Sequence, residues 1–98
     1  IAHITGGGFY DNIPRVVPSD KSVLIYKELW QVPQIFRVIQ KRAGISYKEM
    51  YRTFNMGIGM VIVVSKSDVK KAHGIIKKFR LKSWTIGEII KGNGEVII

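Results

Sequence analysis

The chain has 98 residues, 46% of them hydrophobic, no cysteine and a formal net charge of +9. That length allows one small domain burying about 60–65% of its extended surface, and the hydrophobic content argues against intrinsic disorder. Disulfides, thiolate nucleophiles and cysteine metal sites are excluded, no apolar run approaches the ~18–20 residues of a membrane span, and no basic-then-apolar leader is visible.

The first element is a loop. His3-Ile4-Thr5-Gly6-Gly7-Gly8 sets a threonine before three consecutive glycines. Glycines reach φ > 0 without steric cost, so their N–H groups can converge on one anion, and a following helix adds its unpaired N–H groups. A phosphate is the natural guest of such a loop; a plain tight turn is the alternative. Phe9 to Val17 reads as a short helix or turn that Pro18 ends. Ser22 to Trp30 reads as a strand. Pro33 then opens a helix near its first position, with Val32, Ile35, Phe36 and Ile39 on its expected buried face and Ala43-Gly44 at its end.

The next helix is the best specified. Ser46 and Glu49 form a capping box, and Tyr47, Met50, Tyr51 and Phe54 recur at helical spacing. Such an aromatic stripe belongs in a core before it belongs against a base. Met60 to Val64 is an apolar run expected as a central strand. Ser65 or Ser67 caps a helix whose inward face is Val69, Ala72, Ile76 and Phe79. Trp84 to Ile90 and Glu95 to Ile98 read as two final strands around the turn Lys91-Gly92-Asn93-Gly94. The order predicts an α/β or α+β domain, with a mixed sheet of about four strands covered by helices. The chain lacks an initiator methionine, and it is expected to be a piece of something larger.

The charge invites a nucleic-acid reading, but its distribution weakens it. Seven of the sixteen basic residues (Lys66, Lys70, Lys71, Lys77, Lys78, Arg80 and Lys82) crowd one segment, most of them on the outer face of a helix. There the solvated lysine is the default. No nucleophile elbow, Walker loop or metal-ligand cluster is visible. His73 lies on that lysine-rich helix and is expected at the surface. His3 leads into the glycine loop, where it serves either as a substrate contact or as a structural histidine.

Two segments carry a family resemblance. Ala2-His3-Ile4-Thr5-Gly6-Gly7-Gly8-Phe9-Tyr10-Asp11-Asn12-Ile13-Pro14-Arg15 and Glu49-Met50-Tyr51-Arg52-Thr53-Phe54-Asn55-Met56-Gly57-Ile58-Gly59-Met60 resemble the phosphoribosylformylglycinamidine cyclo-ligases, also called aminoimidazole ribonucleotide synthetases. Trp30-Gln31-Val32-Pro33 and Trp84-Thr85-Ile86-Gly87-Glu88 fall where that family has similar stretches. Composition and spacing reach only an anion-binding α/β piece; the name comes from the motifs.

The resemblance implies a purine-biosynthesis ligase, cytoplasmic, using ATP and Mg²⁺ to close the imidazole ring. In that family phosphorylation of a formyl oxygen makes it a good leaving group, and an amidine nitrogen displaces phosphate. It further implies a homodimer of two-domain subunits, whose amino-terminal domain holds most of the ATP and Mg²⁺ ligands. Residues 1–98 would be a single domain from the carboxy-terminal part, inactive alone. Carried onto this sequence, Thr5, Gly6, Gly7 and Gly8 are the expected phosphate contacts. Arg15 stands by to neutralise an anion or to form a surface ion pair. Asn12 and Asn55 are further substrate-binding candidates, Asn55 also serving to cap its helix, and His3 is the catalytic candidate. No metal ligand is expected in these residues, no membrane is implied, and the partners are ATP and a phosphorylated purine intermediate. A basic nucleic-acid-binding module, or an interaction fragment with an exposed sheet edge, are the competing classes; binding that falls steeply with salt would mark the first.

Overall fold

The computed structural model describes all 98 residues. Five strands and four α-helices follow in the order β1 (Ala2–His3), α1 (Gly8–Asn12), β2 (Lys21–Ile25), α2 (Gln34–Ala43), α3 (Tyr47–Thr53), β3 (Met60–Val61), α4 (Val69–Lys78), β4 (Gly87–Lys91) and β5 (Val96–Ile97). This is the expected α+β class. The strands fall into two sheets rather than one: β1 pairs with β3, and the second sheet has the order β4-β2-β5.

The central strand is β2, not the Met60–Val64 run. Lys21, Ser22, Val23, Leu24 and Ile25 pair antiparallel with Lys91 back to Gly87, while Val23 and Leu24 pair in parallel with Val96 and Ile97 on the other side. The last two strands therefore form no hairpin, because β2 lies between them. Ser22 is the reason. Its buried hydroxyl accepts from the N–H groups of Asn93 (3.0 Å) and Glu95 (3.1 Å), and the Gly92 and Gly94 amides bond to the carbonyls of Asp20 and Lys21. The turn is wrapped around the start of β2 instead of closing on itself.

Strand β2 also ends earlier than expected, at Ile25. The Tyr26 N–H reaches the Ile86 carbonyl at 2.8 Å, and Lys27–Leu29 then makes a single 3₁₀ turn. That turn delivers Trp30 into the core. Phe9, Trp30 and Tyr51 form an aromatic triangle there, with centroids 5.5–6.3 Å apart, around which Ile4, Ile13, Met50 and Met56 pack.

The helices follow their expected caps only in part: α4 begins after Asp68 with no side-chain cap, the Ser65 hydroxyl donating instead to the Asp68 carboxylate at 2.7 Å. The Ser46 Oγ accepts the Glu49 N–H at 3.2 Å; the Glu49 carboxylate turns instead to the Thr53 hydroxyl at 3.4 Å, so half the capping box forms. Met50 and Tyr51 are buried, whereas Tyr47 at the head of the stripe is exposed. On α2, Phe36 and Ile39 pack against the core but Ile35 is 58% exposed. Helix α4 buries no residue fully, and Phe79 beyond its end is 73% exposed. Met60–Val64 pairs only over its first two residues, and all but half-buried Val61 are exposed. The last two departures share one cause: the apolar faces of α4 and of residues 60–64 meet too little of the rest of the chain.

Candidate functional site

The two long motifs of the sequence form one body. Ile4 donates to the Gly59 carbonyl at 2.9 Å, and His3 sits opposite Met60 in the β1–β3 ladder. At the loop itself, Gly7 (φ 93°) and Gly8 (φ 58°) both take the left-handed conformation that favours glycine. Gly8 is buried against the main chain of Tyr51, where a β-carbon would collide with the Tyr51 carbonyl oxygen. The Gly8 N–H closes the turn on the Thr5 carbonyl at 2.9 Å.

Buried Asn12 holds the loop from within. Its side-chain amide donates to the carbonyls of Gly8 (2.8 Å), Thr5 (3.3 Å) and Gly6 (3.3 Å). With those carbonyls drawn inward, the N–H groups of Gly6 and Gly7 have no acceptor in the protein. They remain available to a ligand, and Thr5 and Gly6 are exposed. The Asp11 side chain lies against Gly7, close enough that a β-carbon there would come within 2.5 Å of Oδ2. A carboxylate therefore flanks the free amides on one side.

Arg15 lies exposed in the 3₁₀ turn Pro14–Val16 that follows α1, and no ion pair engages it. Sequence reasoning missed Arg52, whose guanidinium lies 5.3 Å from the centroid of the Tyr10 ring and only 3.9 Å from Glu49. Its signal was the second motif itself, since packing α3 on α1 carries Arg52 to the loop. Asn55 makes an Asx turn, its Oδ1 accepting the Gly57 N–H at 2.9 Å; its side-chain nitrogen has no partner. Thus Asn12 and Asn55 each organise backbone, while His3, Thr5, Gly6 and Arg15 face outward.

His73 departs from its expected place on the surface. It is half-buried, with Nδ1 2.6 Å from the Ser83 hydroxyl and Nε2 2.9 Å from that of Thr85, so it ties α4 to the segment before β4. No three His, Asp or Glu side chains converge, and these residues supply no cage for the Mg²⁺ that the resemblance implies. The seven clustered cations between Lys66 and Lys82 are all exposed. No helix is long and apolar enough to cross a membrane.

Over all 98 residues the chain is 51% identical to the phosphoribosylformylglycinamidine cyclo-ligase of Caldanaerobacter subterraneus subsp. tengcongensis. It is 48% identical to that of Caldicellulosiruptor bescii and 46% identical to that of Pseudothermotoga lettingae. The whole of this chain is matched each time, but it spans only 29% of the length of those relatives. The family model described as AIR synthase related protein, C-terminal domain, matches residues 1–98, and the chain belongs to that family.

Proposed function

We propose that this chain forms the carboxy-terminal part of a phosphoribosylformylglycinamidine cyclo-ligase, the purine-biosynthesis ligase that closes the imidazole ring of aminoimidazole ribonucleotide with ATP. The observation that carries the reading is identity of 51% across the whole chain, with both motifs packed around one glycine loop. In this reading residues 1–98 are a single domain of a larger, cytoplasmic, homodimeric two-domain enzyme. ATP and Mg²⁺ are held mostly by residues outside them, and the 98 residues alone are inactive.

Within that enzyme the loop has a defined task. The free N–H groups of Gly6 and Gly7 and the Thr5 hydroxyl bind a phosphate, and Arg15 neutralises it. Asn12 positions the loop by holding its carbonyls inward. His3 stands at the entrance as the candidate catalytic contact, and the unpartnered amide of Asn55 binds substrate. The phosphate belongs either to the ribonucleotide substrate or to ATP.

Arg15→Ala in the polypeptide of the relatives' length tests this. A charged hydrogen bond contributes roughly 1.5–3 kcal/mol, so KM for one of the two phosphorylated substrates should rise about tenfold or more. Thermal stability should stay unchanged, because Arg15 is exposed and unpaired. Whichever KM moves identifies the phosphate; if neither moves, the loop is a turn and nothing more.

A further inference from the structure

Strand β2 stops at Ile25, and the 3₁₀ turn Lys27–Leu29 carries the chain off the sheet before Trp30 enters the core. Helix α2 ends on the left-handed Gly44, after which Ile45 packs against that same core. Between the 3₁₀ turn and the junction of α2 with α3 lies an open groove of about 1060 Å³. Buried Trp30 and Met56 form its floor together with half-buried Ile45. Its rim carries Lys27, Arg37 and Lys41, all exposed and none engaged in an ion pair. No lining residue belongs to the glycine loop or to α1.

Tyr51 supplies the groove with a free polar group. The residue is 3% exposed, yet its hydroxyl makes no hydrogen bond within the protein. A buried tyrosine ordinarily finds a partner for its O–H. Every side-chain polar atom sealed from solvent does have a partner, so the phenol oxygen is where Tyr51 meets open space. The space that Tyr51 lines is this groove. Glu28 and Arg37, both on the rim, lie close enough for their charges to act on the phenol.

The rim attracts anions. Three cations face one acid, Glu28, leaving a net charge of +2. Arg37 and Lys41 stand four residues apart on α2, so their side chains share one face of the helix. The Lys27 ammonium is held 4.7 Å from the centroid of the Tyr47 ring, which fixes its place without neutralising it. We propose that this groove binds a small organic phosphate monoester built on a flat ring. The phosphate meets Lys27, Arg37 and Lys41, the ring covers Trp30, Ile45 and Met56, and an acceptor on the ring takes the Tyr51 O–H. A phosphate monoester is largely dianionic near neutral pH, which matches the charge of the rim, and the guanidinium offers it two parallel donors. Inorganic phosphate alone would leave the apolar floor and the Tyr51 hydroxyl uncovered. This site is additional to the glycine loop and does not depend on the activity proposed above.

The test uses the polypeptide of the relatives' length, isotopically labelled at its methionine and isoleucine methyls, with p-nitrophenyl phosphate as the probe. Saturable ring-current shifts should appear at the Met56 and Ile45 methyls. Inorganic phosphate should bind there at least about tenfold more weakly, because it gains nothing from the floor. Arg37→Gln combined with Lys41→Gln changes only exposed side chains and should weaken the probe about tenfold or more. Tyr51→Phe removes a hydroxyl that has no partner in the protein, and should weaken it about threefold to tenfold. Those shifts, with losses in both variants, support the site. Shifts at Ile4 alone place the probe on the glycine loop and overturn the groove while leaving the loop reading intact. Shifts centred on Ile75 that vanish with salt reduce the binding to attraction by the lysine-rich helix and overturn it as well. Binding at Met56 that neither variant weakens would do the same.

Discussion

Gly8 lies so close to the main chain of Tyr51 that any β-carbon would run into the Tyr51 carbonyl oxygen, and would come within 2.8 Å of the Arg52 carbonyl carbon. The contact joins the two motifs, since it seats α1 on the end of α3. Gly8 also has φ 58°, where a side chain is penalised independently of space.

Gly8→Ala should therefore destabilise by about 2–5 kcal/mol, combining the left-handed penalty with overpacking against rigid backbone. Gly6→Ala is the matched control. It has nothing within 4 Å of a β-carbon and no positive φ, so its change should stay within about 0.5 kcal/mol. Urea midpoints of the two variants check the contrast; equal midpoints would mean that Gly8 is not pinned by Tyr51.

Asn12 predicts a second ordering. Its amide donates to three loop carbonyls from a buried position. Asn12→Ala removes all three bonds and leaves the buried Gly8 carbonyl with one donor fewer, which should lower stability by roughly 2–3 kcal/mol. Asn12→Asp should be worse at neutral pH, because an ionised carboxylate has no donor to offer three carbonyl oxygens. An aspartate variant as stable as wild type would show that the loop does not need those bonds.

Sequence alone carried the parts of this fold that rest on local chemistry. The Ser46 cap and the left-handed Gly44 after α2 both depend on residues a few positions apart. So does the glycine loop, as far as its backbone goes. What escaped depends on distant partners. The wrap of residues 92–95 around Ser22 requires a hydroxyl some seventy positions upstream, and a Gly-Asn-Gly turn reads locally as a hairpin. Met60–Val64 has the composition of a central strand, but composition does not say where its neighbours come from. The site shows the same division. The loop could be read directly, whereas Asn12's inward role and Arg52's place beside Tyr10 required the packing of α1 on α3.

Trp30 and Met56 give a third prediction. The indole N–H donates to the Met56 carbonyl at 3.0 Å within the core. Met56 is a buried non-glycine residue at φ 52°, a conformation that persists only where its surroundings hold it. Gly57, at φ 95° and tight against Pro33, supports it from the other side. Trp30→Phe keeps an aromatic ring near Phe9 and Tyr51 but removes the donor and some volume. The loss should be roughly 2–4 kcal/mol, and amide exchange should accelerate first around Asn55–Ile58. If the loss is under about 1 kcal/mol, the indole bond is not what holds the turn.

The phenol of Tyr51 sets the last expectation. Burial, and after it the nearby Glu28 charge, raises its pKa above the ordinary value of 10.0. The folded state thus prefers the neutral phenol. Its contribution is fully present below the unfolded value near 10 and is lost as pH rises through the higher folded one. Stability followed by urea titration from pH about 9 to about 12 should hold steady and then fall. Tyr51→Phe cannot form a phenolate, so its decline over that range should be shallower. Tyr26 is the internal comparison: its hydrogen bond to the Glu88 carboxylate at 3.1 Å raises its pKa too, but its hydroxyl is on the surface, where such pairs add little. Tyr26→Phe should therefore leave the decline nearly as steep as in wild type. Should Tyr51→Phe decline as steeply as Tyr26→Phe, burial of the Tyr51 phenol is not what limits the fold at high pH.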